Sequence, residues 1–340
     1  MREISQKVLW FEKPICDSLR GSGIEFGFQV QGSVKGLQEL NIPFLFGVHL
    51  PNNLASEWRD DNKRTTLQEE LERVASLNPR PLYAVLHGVR VSHSRLGYDE
   101  SVSEREKNYI SDIGAETYFE AVEELISFIK YLQEMGIPVA LETVAFTNFS
   151  RISGSFIAET YLDLRIGSLS ADMLHISRRA NCQLLVDLEH LAFAVNFATR
   201  RYNYSHLPKV IPDPLSEKEE LLLEEFGIFL RPGWVPIMTR VGDSEEEIRK
   251  IGAEIYHVGG CFEGKRIELE ADMVASHAPI TLEDECFRQE LRNILKERPE
   301  ILVLEVSGSN EIPCFTPRLP NPDAQIASFE ALCQILAEEI

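Results

Sequence analysis

The chain has 340 residues, of which 44% are hydrophobic and 26% charged, an ordinary globular balance with room for one large α/β barrel or two modest domains. Its net charge of −20 sets 54 acidic residues against 34 basic ones, which disfavours nucleic acid and anionic membrane surfaces as partners. No apolar run approaches the roughly 18 residues of a membrane span. The opening MREISQKVLWFEKP lacks a signal-peptide core, so a soluble, cytoplasmic protein is expected.

Eight short apolar, β-branched runs read as strands: IEFGFQV (24–30), PFLFGVHL (43–50), YAVLHGV (83–89), PVALETVAF (138–146), CQLLVDL (182–188), EIYHVGG (254–260), ADMVASH (271–277) and ILVLEVS (301–307). Helical periodicity occupies most of the gaps. TLQEELERVASL (66–77) follows the second strand, and ETYFEAVEELISFIKYLQEMG (116–136), with Gly136 as a stop signal, follows the third. SADMLHISRRA (170–180) precedes the fifth strand, and DSEEEIRKIG (243–252), opened by a cap-like Asp243, leads into the sixth. LEDECFRQELRNIL (282–295) precedes the eighth, and DAQIASFEALCQILAEEI (323–340) ends the sequence. Alternating strands and helices predict a parallel sheet, and eight repeats predict a (β/α)8 TIM barrel forming a single domain over 1–340. A long insertion after strand five, 200–240, carries prolines and an acidic helical pattern and reads as a lid or a partner surface.

Active sites of such barrels lie at the C-terminal ends of the strands. His49, His87, Glu142, Asp187, His190, His257, His277 and Glu305 all fall there. Asp187 and His190 converge only if strand five stops near Leu188 and the chain turns inward. Five imidazoles and three carboxylates, with no sulfur, suit iron, manganese, zinc or cobalt. They outnumber the ligands of one ion, so two or three divalent ions sharing a bridging carboxylate are expected. His93, just past strand three, is a further candidate, while His175 and His206 read as surface residues. The six cysteines are scattered without a C-x-x-C pair and read as reduced, mostly buried thiols.

The passages IPFLFGVHLPN, VALETVAF, LLVDLEHLAFAVNFATRR, YHVGGC, VASHAPITLEDECF and LVLEVSGSNEIP resemble xylose-isomerase-like TIM barrels. Within that superfamily they are most similar to multinuclear non-haem iron-dependent oxidative enzymes that modify peptides. The likeness covers most of 24–313 and not the 200–240 insertion. It implies a multinuclear iron oxidoreductase that uses oxygen on a peptide or small thiol-containing substrate, with a substrate-presenting protein as a possible partner.

The same ligand ladder resembles that of endonuclease IV type enzymes, which implies metal binding by His49, His87, Glu142, Asp187, His190, His257, His277 and Glu305, with Glu142 as the bridge. Glu142, Asp187, His257 and Glu305 alone resemble the single-metal site of ketose epimerases, which implies an alternative sugar isomerase or epimerase with Glu142 and Glu305 as catalytic acid and base. A metal-assisted phosphodiester hydrolase is a third reading, opposed by the charge. One departure from the family pattern stands at strand seven, where Ala275-Ser276-His277 replaces Asp-x-His, so a third ion would lack an anionic ligand. Asp187 and His190 are accordingly expected to serve different ions.

Overall fold

The computed structural model describes residues 28–31, 45–51, 54–58, 60–92, 118–144, 149–152, 155–158, 163–198, 228–230, 236–238, 243–261, 278–306 and 322–339. The strands in chain order are β1 (Phe28–Gln31), β2 (Leu45–His49), β3 (Tyr83–His87), β4 (Arg90–Ser92), β5 (Val139–Glu142), β6 (Phe149–Ile152), β7 (Ser155–Ala158), β8 (Asp163–Arg165), β9 (Gln183–Asp187), β10 (Ile228–Leu230), β11 (Pro236–Met238), β12 (Ile255–Val258) and β13 (Ile301–Leu304). The helices are α1 (Leu54–Glu57), α2 (Asp61–Ala75), α3 (Tyr118–Glu134), α4 (Ser170–Ala180), α5 (Leu188–Ala198), α6 (Ser244–Ile251), α7 (Glu285–Lys296) and α8 (Pro322–Glu339).

Seven strands form one sheet in the order β1-β2-β3-β5-β9-β12-β13, every pair parallel. These are seven of the eight predicted strands, in chain order, with helices described between successive strands from β2 onward. The sheet curls. β1 and β12 stand five places apart, which would separate them by about 24 Å in a flat sheet. Yet His257 Nε2 of β12 lies 3.1 Å from Gln29 Oε1 of β1. The described strands thus curl as a parallel half-barrel.

The expected place of strand seven is corrected. β12 is paired with β9 along one edge and directly with β13 along the other, His257 lying opposite both Asp187 and Val303. A strand has two edges, so no strand stands between the sixth and eighth predicted runs. Residues 271–277 themselves lie outside the described residues. Of the 200–240 insertion, an antiparallel pairing of β10 with β11 is described, and its acidic stretch is not.

Strict period-two alternation divides the two faces of the sheet. Val48, Ala84, Leu86, Val139, Leu141, Leu184, Val186, Tyr256 and Val258 face outward into the main apolar core beneath the helices. Tyr83, Val85, Ala140, Leu185 and Ile255 face inward and pack together as a separate plug. Gly47 makes room for it, since a Cβ there would fall 2.4 Å from the Tyr83 ring.

The helix boundaries follow capping chemistry. Asp60 and Asp243 accept N–H groups of Asn62 and Glu246 at the starts of α2 and α6. α3 gives way at Gly136 and α6 at Gly252, both at positive φ where glycine is unstrained. No helix of the described residues is long and apolar enough to cross a membrane.

Candidate metal centre

Two residues beyond the plug, the same inward face becomes polar. Val85 is followed by His87, Ala140 by Glu142, Leu185 by Asp187, Ile255 by His257, and Val303 by Glu305, while Gly47 is followed by His49. The apolar layer thus forms a floor, and the strand ends raise one ionisable side chain each above it. His49, His87, Glu142, Asp187 and His257 are all buried. Glu305 is the open member, with 31% of its side chain exposed against 1% for Glu142.

The ionisable groups form two sets that share one residue. His49, His87 and Glu142 make one; Glu142, Asp187, His257 and Glu305 make the other. Glu142 divides its oxygens between them. Its Oε2 lies 2.7 Å from His87 Nε2 and 3.1 Å from His49 Nε2. Its Oε1 lies 3.2 Å from His257 Nδ1 and 3.5 Å from His190 Nδ1. His257 Nδ1 also stands 2.8 Å from Glu305 Oε2 and 3.7 Å from Asp187 Oδ2.

His49 Nε2 is in hydrogen-bonding geometry with Glu142 Oε2, but the contacts of His87 and His257 suit ligands better than hydrogen bonds. His87 Nε2 and His257 Nδ1 are buried and, despite their short separations from carboxylate oxygens, lie out of line for hydrogen bonding. The surroundings of two rings also select a tautomer. His49 Nδ1 is 2.7 Å from the Leu50 carbonyl, and His257 Nε2 is 3.1 Å from Gln29 Oε1. Each oxygen calls for an N–H, which leaves a lone pair on the other nitrogen, among carboxylate oxygens. Electron-rich atoms crowded in this way repel unless a proton or a cation stands among them. Donors about 2.1 Å from a cation and at right angles to each other lie about 3 Å apart, the spacing found here. The residues therefore fit divalent cations. Nitrogen and oxygen donors without sulfur leave the choice among iron, manganese, zinc and magnesium open.

The charge states tell the same story. Burial opposes ionisation of Glu142, but the His87 and His257 imidazoles outweigh it and hold the carboxyl well below its usual range. Burial pushes His87 down to about 4 against the pull of Glu142, so this imidazole stays neutral, as a ligand must. His49 and His257 are raised despite burial, His49 by Glu142 and His257 by Glu142 and Glu305. His190 is raised to about 10 despite burial by Asp187 and Glu142. Imidazoles that attract a proton this strongly among carboxylates are positions where a metal cation can take the proton's place.

His190 stands where the turn near Leu188 brings it. β9 does end at Asp187 and the chain turns at once into α5. There the His190 backbone N–H donates to Asp187 Oδ1 at 2.8 Å, and His190 Nδ1 lies 2.9 Å from the Thr143 carbonyl. Asp187 thus fastens the first turn of α5 through the His190 backbone, while the His190 ring stands 3.9 Å from Asp187 Oδ1 and 3.5 Å from Glu142 Oε1. His190 belongs to neither set of converging ligand atoms. His277, Ala275, His93 and His206 lie outside the described residues, and His175 lies on α4 beside Arg179.

Two supporting residues escaped sequence reasoning. Gln29 orients His257 from β1, 228 positions away in sequence. Thr143 exchanges hydrogen bonds with the Asp187 backbone, its Oγ1 accepting from Asp187 N at 2.8 Å, and so couples the ends of β5 and β9. A polar residue inside strand one, opposite Gly47 of β2, was the available signal for Gln29. Thr143 carried none beyond adjacency to Glu142.

No family model matches the chain, and no curated protein matches it. Solved structures do. A D-tagatose 3-epimerase-like protein aligns at 16% identity and TM-score 0.46, over 94% of this chain and 91% of its own. Endonuclease IV from Thermus thermophilus aligns at 14% identity and TM-score 0.44, over 96% and 94%. A xylose isomerase domain containing protein from Salmonella typhimurium aligns at 10% identity and TM-score 0.44, over 92% and 86%.

Proposed function

We propose that the protein is a metal-dependent isomerase or epimerase acting on hydroxy-carbonyl compounds of the sugar class, with its working cation held by Glu142, Asp187, His257 and Glu305. The observation that carries this reading is a pair of carboxylates of opposite exposure within reach of one cation, Glu142 buried and Glu305 open. A divalent ion bound there would polarise the substrate oxygens and acidify the intervening C–H. Glu305 faces the open side and is placed to take or return the substrate proton. Glu142 stays ionised in the buried part of the site, above the apolar floor, and is the second proton-transfer group. The Tyr83–Ile255 plug beneath closes the site to water from below.

A second reading is favoured by one observation. Oε2 of Glu142 is shared with His49 and His87, and a single-cation epimerase has no use for that pair. A two-ion centre bridged by Glu142 suits the multinuclear iron oxidoreductase acting with oxygen on a peptide or small thiol substrate, and it also accommodates metal-assisted hydrolysis. On that reading the 200–240 insertion is the proposed surface for a substrate-presenting partner.

One set of variants separates the two. With Mn2+ present, ketose turnover is expected, to fall about 10²- to 10⁴-fold in Glu305→Gln and to survive in His49→Ala and His87→Ala. Iron retained through purification, oxygen uptake with thiol or peptide substrates, and abolition of that uptake by His49→Ala or His87→Ala would reverse the order of the readings.

A further inference from the structure

A separate set of ligand-type side chains, sharing no residue with the Glu142 centre, converges where the chain leaves β12. Cys261, Asp284 and Cys286 place two sulfurs and a carboxylate oxygen within 4.8 Å of one another. Glu290 joins them, its Oε2 lying 3.8 Å from Cys261 Sγ. Independent local causes bring the four together. Asp284 is the N-cap of α7: Oδ1 accepts the Phe287 N–H, and Oδ2 accepts the Cys261 N–H at 2.6 Å. The carboxylate that starts the helix therefore also holds the Cys261 backbone. Cys286 and Glu290 are four residues apart on α7 and share a face. Gly260 donates to the Ala278 carbonyl at 2.7 Å, and a Cβ there would fall 2.3 Å from the Pro279 oxygen, so the backbone leading into Cys261 has little freedom.

Two thiols and two carboxylates in one place select a cation over a disulfide. Neighbouring negative charge disfavours the thiolate that disulfide exchange requires. A divalent cation removes that obstacle, because it deprotonates the thiols and neutralises the carboxylates together. Two sulfurs with one or two oxygens also match the tetrahedral preference of zinc. The Glu142 centre has nitrogen and oxygen donors alone, so the two sites differ in softness and would select different metals.

We propose that Cys261 and Cys286, completed by Asp284 and Glu290, bind a thiophilic divalent cation of the Zn2+ class. The site is structural: it fastens the segment four residues beyond His257 to the start of α7. It does not depend on which reaction the Glu142 centre performs.

The test uses the full chain, stripped of metal by a chelator under reducing conditions and titrated with Co2+. A near-ultraviolet thiolate-to-cobalt charge-transfer band is expected, displaced by Zn2+, lost in Cys286→Ala and retained in Cys333→Ala. Co2+ bound at Glu142 cannot produce that band, having no sulfur ligand. Wild-type protein that takes up Co2+ without the band overturns the proposal. Should Cys286→Ala fail to fold, alkylation of the wild type mapped by peptide mass carries the test. Zn2+ is expected to protect Cys261 and Cys286 together, and equal modification with and without Zn2+ overturns the site. Ready closure of a Cys261–Cys286 disulfide in air, with no cobalt band in the reduced protein, likewise overturns it.

Discussion

His257 shows how much a single side chain depends on its neighbours. Its Nδ1 meets three carboxylates, and it can serve a metal there only if Nε2 carries the ring proton. Gln29 Oε1, 3.1 Å away, supplies the acceptor that enforces this tautomer. Gln29→Leu keeps roughly the same volume and removes the acceptor. Metal affinity is expected to fall about 10- to 100-fold in direct titration, with the unfolding midpoint of the metal-free protein little changed. Equal affinities would remove Gln29 from the centre. Cys182 illustrates the opposite case, a thiol without a role in any site. Burial, helped by Glu254, pushes it up to about 12, from an ordinary value near 9. The folded thiol is thus still protonated where the unfolded one has ionised. Its contribution to stability is complete below pH 9 and declines as pH rises toward 12. At pH 8, Cys182 is expected to alkylate far more slowly in native than in urea-unfolded protein, as followed by peptide mapping.

At the scale of elements, the centre depends on strands stopping at one level. His87 is followed by Gly88, whose hypothetical Cβ would lie 1.6 Å from the Ile166 oxygen. The loop bearing Ile166 returns across the strand ends, where Ile166 N donates to Val89 O and Val144 N to Gly167 O. Asp172 braces it from below by accepting the N–H groups of Gly167, Ser168, Leu169 and Met173. No side chain can be admitted between backbone and backbone there. Gly88→Ala is expected to cost about 3 kcal/mol or more, read from the urea midpoint, and to weaken metal binding through displacement of His87. These elements were largely legible in advance. α4 has its predicted bounds, the glycine after α3 ends it, and Asp243 caps α6. Each depends on local chemistry, capping and helical period, which a short window of sequence contains. The turn at Leu188 that brings His190 beside Asp187 was legible only as a condition, because a strand becomes a helix there without a connecting loop and neither period applies across the junction.

For the molecule as a whole, the centre gathers Glu142, Asp187 and Glu305 into one site, and their mutual repulsion needs compensation. Bound metal is expected to supply it. With free metal at a thousand times its dissociation constant, the folded state gains about 4 kcal/mol. Chelation should therefore lower the unfolding temperature of the wild type and have much less effect on Glu142→Gln, which has lost the shared ligand. A chelator-insensitive wild type would argue against a resident cation. Along the chain, the polar residue at the end of each strand was readable, because period-two alternation fixes which side chains share a face, and so the identities of His49, His87, Glu142, Asp187, His257 and Glu305 as candidates came from sequence alone. Which of them meet was decided by the curl of the sheet, since convergence of β1, β2 and β12 depends on strand order and curvature summed over the wall. The same holds for the direct pairing of β12 with β13, the division of the Glu142 oxygens between two sets of ligands, and the meeting of Cys261 with Cys286. Those are relations between residues tens to hundreds of positions apart, and only the folded chain brings them within bonding distance.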